Sequence, residues 1–229
     1  MLMAEQLDQM GGEQLRRKIE SMGVRVHTSK NTLEIVQEGV EARKTMRFAD
    51  GSELEVDFIV FSTGIRPRDK LATQCGLDVA PRGGIVINDS CQTSDPDIYA
   101  IGECASWNNR VFGLVAPGYK MAQVAVDHIL GSENAFEGAD LSAKLKLLGV
   151  DVGGIGDAHG RTPGARSYVY LDESKEIYKR LIVSEDNKTL LGAVLVGDTS
   201  DYGNLLQLVL NAIELPENPD SLILPAHSG

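Results

Sequence analysis

Residues Thr93-Ser94-Asp95-Pro96-Asp97-Ile98-Tyr99-Ala100-Ile101-Gly102-Glu103 form an extended segment that opens on Asp-Pro and ends in a glycine followed by a carboxylate. That ending constrains the fold most. A chain that stops at glycine can bring its backbone close to a ligand, with an acid placed immediately beyond. A second segment, Phe58-Ile59-Val60-Phe61-Ser62-Thr63-Gly64-Ile65-Arg66-Pro67, is an apolar strand running into a glycine and then Arg-Pro. Gly64 permits close approach of a ligand, and Pro67 fixes the exit direction.

The two segments resemble motifs of the two-dinucleotide-binding flavoprotein reductases. Their order, about 30 residues apart as in that family, carries more than either motif alone. The resemblance implies a turn shaped by Thr93 and Asp95-Pro96, a short buried strand over Ile98 to Ile101, closure of the Gly102 backbone on a flavin, and a Glu103 carboxylate meeting a flavin hydroxyl. Family members carry Asp where this chain has Glu103, one methylene longer, so the bond is indirect or shifted; the alternative is a turn or helix-dipole carboxylate. Gly64 and Arg66 fall where the nicotinamide domain hands the chain back to the flavin domain. Arg66 also reads as a surface guanidinium or an interdomain ion pair.

Each dinucleotide in such a fold needs a Gly-rich strand-turn-helix, because N–H groups at a helix N-terminus hold its pyrophosphate. Neither fingerprint is found in this sequence. The nearest run, Gly154 to Gly160, leads into Arg161-Thr162-Pro163-Gly164 and reads as a loop. Met1 to Met22 reads as a loop followed by a helix, with Leu15, Ile19 and Met22 at helical spacing, and Gly23 to Thr28 as a strand. In the family this pair follows the nicotinamide-binding βαβ unit. The resemblance therefore implies a chain that starts in mid-domain.

With 229 residues, 42% hydrophobic and 24% charged, the chain can bury the core of one or two domains. Its net charge of −11 argues against nucleic acid or an anionic membrane surface as partner. No apolar run of membrane-spanning length and no signal-peptide pattern occur, so a cytoplasmic location is expected. The thiols, Cys75, Cys91 and Cys104, include no C-x-x-C and support neither a disulfide framework nor a four-cysteine metal site. Cys104 reads as a small buried apolar residue, although it adjoins Glu103. His27, His128, His159 and His227 lack ligand spacing, so no metal site is expected.

Along the chain, residues 1–66 read as the remainder of a nicotinamide domain, with strands over Val40 to Phe48 and Glu53 to Phe61 joined at Asp50-Gly51. Residues 67–137 read as the C-terminal part of a flavin domain. There a helix spans Lys70 to Cys75 and a strand Ile85 to Ile87; a second helix opens at Pro117-Gly118-Tyr119 and keeps Met121, Val124, Ala125, His128 and Ile129 on one side. The family places the start of that second helix against the flavin ring. Ser132 to Asp140 reads as a boundary. Residues 138–215 then read as an antiparallel sheet, with a hairpin at Glu185 to Lys188, and a helix over Ser200 to Leu215. This part resembles the C-terminal domain of rubredoxin-reductase-like flavoproteins. Tyr168, Tyr170 and Tyr178 are expected to pack on sheet faces, and residues 216–229, with Pro216, Pro219 and Pro225, read as a linker. The fold class is thus α/β and α+β: an incomplete two-dinucleotide-binding reductase core followed by a small antiparallel-sheet-plus-helix domain.

Four stretches narrow the resemblance to the large subunits of bacterial NADH-dependent nitrite reductases: Leu2 to Asp8, Tyr99 to Ala105, Leu145 to Val152 and Leu191 to Asp198. The family reduces nitrite to ammonia, passing electrons from NAD(P)H through FAD to iron-sulfur and sirohaem centres. For this chain it implies the FAD and NAD(P)H end, with Gly102 and Glu103 at the flavin ribityl-phosphate region, Pro117, Gly118 and Tyr119 at its ring, and Gly64 with Arg66 between the nicotinamide and flavin halves. The implied partners are an upstream FAD/NAD-binding segment, downstream iron-sulfur and sirohaem domains, a small subunit and a second copy in a homodimer. On this reading the isolated chain is inactive. A rubredoxin or ferredoxin reductase, or a non-catalytic self-associating module with an unpaired sheet edge, are the alternatives.

Overall fold

The computed structural model describes residues 1–37, 39 and 43–224. Residues 40–42 of the expected strand over Val40 to Phe48, and Pro225 and His227, lie outside the described residues. In chain order the elements are α1 (Gln9–Ser21), β1 (Thr32–Gln37), β2 (Lys44–Phe48), β3 (Glu53–Val56), α2 (Lys70–Gln74), β4 (Ile85–Ile87), β5 (Ala105–Trp107), α3 (Val115–Ile129), β6 (Ala143–Leu147), β7 (Val150–Gly156), β8 (Arg166–Asp172), β9 (Ile177–Val183), β10 (Leu190–Val196) and α4 (Tyr202–Leu210). They form two compact units, one of Met1–Val60 with Ser142–Gly229 and the other of Phe61–Leu141. The first segment of the chain thus folds with the C-terminal sheet, whereas the chain-order partition treats the two separately.

The first unit is built on a five-stranded sheet of order β6-β7-β10-β9-β8, antiparallel throughout. Its central strands are apolar on both faces because both faces are covered. Val152, Val194, Val196 and Tyr178 pack with Leu7, Leu15 and Ile19 of the N-terminal segment. Ile155, Leu181, Ala193 and Leu195 point the other way, to Leu205 of α4 and to Leu215 and Ile223. Each fully buried leucine contributes about 1.5–3 kcal/mol. Because Ile223 is buried and a 3-10 turn spans Pro219–Leu222, the proline-rich segment packs as far as Ile223, where the sequence suggests a linker. Pro219 opens that turn.

β1, β2 and β3 form a separate three-stranded antiparallel sheet in the same unit. The Asp50-Gly51 turn joins β2 to β3: Gly51 has φ +80, which a side chain disfavours, and Asp50 Oδ1 accepts the Ser52 N–H at 3.0 Å. Two expected strands are cut back. Val24 to Thr28 takes no strand pairing, and β3 ends at Val56, leaving Phe58 75% and Phe61 70% exposed. Alternating or apolar sequence favours extension, but a strand is held only where a neighbour receives its N–H and C=O groups, and among the described residues none lies beside these segments. Met22, expected on the buried stripe of α1, is exposed.

The second unit holds one parallel pair, β4 with β5, and a core of Ile87, Ala100, Ala105, Phe112, Met121, Val124 and Phe136. Phe136 packs edge-on to both Trp107 and Phe112, so the acidic stretch 132–140 folds back onto this unit, which closes at Leu141. Ile98 to Ile101, expected as a buried strand, makes only an isolated bridge from Tyr99 to Gln92. Ile98 and Ile101 are exposed while Ala100 is buried. The Ala100 N–H donates to the Cys91 carbonyl at 3.1 Å and the Thr93 N–H to the Ile98 carbonyl at 2.9 Å, the two bonds of that single bridge. Ile129, expected on the buried side of α3, is also exposed.

Candidate functional site

The chain reaches Ile101 in an extended conformation and then turns sharply, with Gly102 at φ +78 and a 3-10 turn over Gly102–Cys104. A Cβ at Gly102 would meet no atom within 4 Å. The positive φ accounts for the glycine, and the open space lies on the side that a ligand would approach. The Gly102 N–H donates to Met121 Sδ at 3.2 Å, fixing the turn against α3.

Opposite this turn α3 begins two residues earlier than the sequence suggested. Leu114 is its N-cap and supplies no side-chain acceptor, and the first turn carries no acid. The helix therefore presents uncapped N–H groups and its positive dipole end. Pro117 lies within that turn, where its missing N–H costs little. Gly118 is set by close approach: its Cβ would stand 3.1 Å from the Gly102 Cα. Between turn and helix lies an open groove of about 420 Å³ lined by Ile101, Gly102, Glu103, Leu114, Val115, Gly118, Tyr119 and Ala122. Tyr119 is 74% exposed and projects at its rim.

A second groove, about 300 Å³, is lined by Ile65, Arg66, Pro67, Arg68, Glu103 and Cys104. Glu103 borders both. Among the described residues Arg66, Arg68 and Glu103 make no ion pair, so neither guanidinium is neutralised by the chain itself. Of the seven residues singled out from sequence, Gly102, Glu103, Gly118 and Tyr119 line the first groove and Arg66 the second. Pro117 is buried. Gly64, at φ +92 with open space at its Cβ, lines neither groove. Sequence reasoning passed over Leu114, Val115 and Arg68. The signal for the first two was an apolar pair just before an uncapped helix start; for Arg68 it was a second arginine two residues after the first.

The thiols differ in reach. Cys91 is fully buried and burial pushes it up to about 11; Cys104 is half-buried and donates weakly to the Ile101 carbonyl at 3.4 Å. Among the described residues no cluster of His, Cys, Asp and Glu could hold a metal ion, and no helix is long and apolar enough to cross a membrane.

Residues 1–128 match the pyridine nucleotide-disulphide oxidoreductase family, and residues 142–213 match the rubredoxin NAD+ reductase C-terminal domain. The chain belongs to the pyridine nucleotide-disulphide oxidoreductase family. Over its whole length it is 55% identical to the nitrite reductase [NAD(P)H] large subunit of Klebsiella oxytoca, covering 24% of that protein. It is 36% identical, again over its whole length, to the assimilatory nitrate reductase electron transfer subunit of Bacillus subtilis, covering 29% of it. A ferredoxin reductase from Rhodopseudomonas palustris shares the fold, with a TM-score of 0.73 and 21% identity over 93% of this chain and 52% of that one. The chain spans about a quarter of the length of the nitrite reductases it matches.

Members of this oxidoreductase family use FAD and NAD(P)H, and the residues present fit a flavin. The open side of Gly102 leaves room for a close-packed ring or ribityl chain, and the apolar wall of Ile101, Leu114 and Val115 suits a flat aromatic surface. The uncapped start of α3 suits electron-rich ring edges. The unpaired arginines suit phosphate.

Proposed function

We propose that the chain supplies the flavin-facing part of the electron-input region of an NAD(P)H-dependent nitrite reductase, the enzyme that takes nitrite to ammonia. The observation that carries this reading is the convergence of the Gly102 turn, Glu103 and the uncapped start of α3 on one groove. The 55% identity along the whole chain supports a nitrite reductase over a rubredoxin or ferredoxin reductase.

In this reading the α3 N–H groups and dipole hold negative charge at the ring, Tyr119 and Val115 shield the ring from water, and Glu103 accepts from a ribityl hydroxyl. Arg66 and Arg68 face the pyrophosphate, the only anionic part of FAD. The chemistry that bound FAD would supply is hydride acceptance from NAD(P)H and single-electron release, and the protein provides binding, orientation and electrostatics. No residue of the groove is assigned as an acid-base catalyst. The reading extends to a cytoplasmic enzyme with further FAD/NAD-binding, iron-sulfur and sirohaem domains, a small subunit, and pairing of two copies.

The test is a titration of the chain with riboflavin and with FAD, followed by flavin fluorescence. Both are expected to bind weakly and saturably, because this sequence lacks a Gly-rich pyrophosphate cradle. FAD should bind somewhat more tightly, by a margin that Arg66→Ala with Arg68→Ala removes. Gly118→Val should abolish binding of both, because its side chain would press on Gly102. Absence of saturable quenching, or full binding by Gly118→Val, would overturn the assignment of the groove.

A further inference from the structure

One carboxylate ties the N-terminal segment to the C-terminal sheet by hydrogen bonds at two side chains. Asp8 is the N-cap of α1, its Oδ1 accepting the Gly11 N–H at 2.9 Å. Its other oxygen, Oδ2, accepts from the Tyr178 hydroxyl at 2.7 Å and from Arg180 Nη1 at 2.8 Å, both on β9 and about 170 residues away. Tyr178 is fully buried. Burial first, and then the bond to Asp8, push its hydroxyl well above the usual tyrosine range. Arg180 is held in turn by Ser167 Oγ at 2.9 Å.

The backbone is shaped to accept the segment. A Cβ at Gly154 of β7 would fall 2.6 Å from the Gln6 carbonyl oxygen, and one at Gly11 would fall 3.0 Å from Val194 Cγ1. Leu7 and Leu15 are fully buried in this contact, and Lys18 pairs with Glu176 at its far end. A helix cap alone would need neither the β9 pair nor the glycine clearances.

We infer that Asp8 is a positioning residue that locks the segment leading into the nicotinamide half onto the C-terminal sheet, so that α1 and the sheet open and close as one body. The inference rests on reading residues 1–66 as the nicotinamide side. Asp8→Ser separates capping from locking: serine caps a helix about as well as aspartate but is too short to reach Tyr178 and Arg180 as well. In hydrogen exchange on the whole chain, the wild-type amides of Leu15 and Ile19 should be protected to the same degree as that of Val194. In Asp8→Ser the protection of α1 should fall about tenfold or more while β10 keeps its own, and Tyr178→Phe should shift α1 in the same direction by less. An Asp8→Ser variant that exchanges like the wild type, with only Asp8→Ala loosened, would reduce Asp8 to a cap and overturn the lock. Joined to the further domains that the proposed function calls for, the Asp8→Ser chain should show a raised KM for NADH and an unchanged kcat. Altered exchange with an unchanged KM would leave the contact standing and overturn its role in positioning the nicotinamide side.

Discussion

In the sheet of β6 to β10 the hairpin β6-β7 and the run β8-β9-β10 join antiparallel along β7 and β10, and both faces are covered by helices or packed segments. In residues 61–141 a single parallel pair supports the unit, and Ile101, Leu114, Val115 and Tyr119 stay exposed around a groove. The contrast separates two uses of apolar sequence. An antiparallel sheet covered on both faces pairs the backbone of its central strands and spends its apolar residues on stability. The second unit leaves part of its apolar surface for a ligand, and holds its groove open with glycines and an uncapped helix.

The largest effect that sharpens this contrast is expected for Leu181→Ala. Leu181 is fully buried between sheet and α4, and its truncation should cost about 2–5 kcal/mol. Urea unfolding followed by tyrosine near-UV circular dichroism should show the loss. The fluorescence of Trp107, the only tryptophan and a resident of the second unit, should keep its midpoint. A joint shift of both signals would break the comparison by making the two cores one.

A smaller effect is expected at the buried Lys179 ammonium, which donates to Asp198 at 2.7 Å and to Asp201 at 2.6 Å. For Lys179 burial, which lowers its value, is outweighed by these two bonds. For Asp198 burial, which raises it, is outweighed by Lys179 and the Ser200 N–H, leaving it at about 2. A carboxylate depressed in the folded state contributes stability that is present above its unfolded value near 4 and is lost as pH falls through about 2. Asp198→Asn should cost about 1–2 kcal/mol at neutral pH and flatten the loss of stability between about pH 4 and 2. Denaturation curves at several pH values would show it, and an acid limb as steep as the wild type's would contradict it. The smallest effect is expected for Phe61→Ser, within about 0.5 kcal/mol in either direction, because its ring is already exposed; a large loss in urea would show that the ring packs in solution.

These differences also explain what could be read from the sequence. β7, β9, β10, the Asp50-Gly51 hairpin and the Leu15, Ile19 stripe were legible because their periodicity and turn residues are local. Val24 to Thr28, Phe58 to Phe61 and Ile98 to Ile101 have the same apolar character without a ladder, and no local signal reports whether a distant strand will lie alongside. Along the groove, Gly102 and Gly118 were legible because a glycine marks a sharp turn or a close approach, and Glu103 because it follows that turn. Leu114 and Val115 were not, since exposed apolar residues at a helix start look like core until the packing is known. The union of α1 with the C-terminal sheet depends on Asp8 meeting Tyr178 across the length of the chain, which no window of sequence contains.

The central claim, that the Gly102 turn and the start of α3 form a flavin site, is tested most directly by following backbone amide resonances of the isotopically labelled chain as FAD is added. Saturable shifts are expected at Gly102, Glu103, Val115, Gly118 and Tyr119, with smaller ones at Arg66 and Arg68, and unshifted resonances in β7, β9 and β10. Shifts centred on the sheet, or none in the groove at saturating flavin, would contradict it.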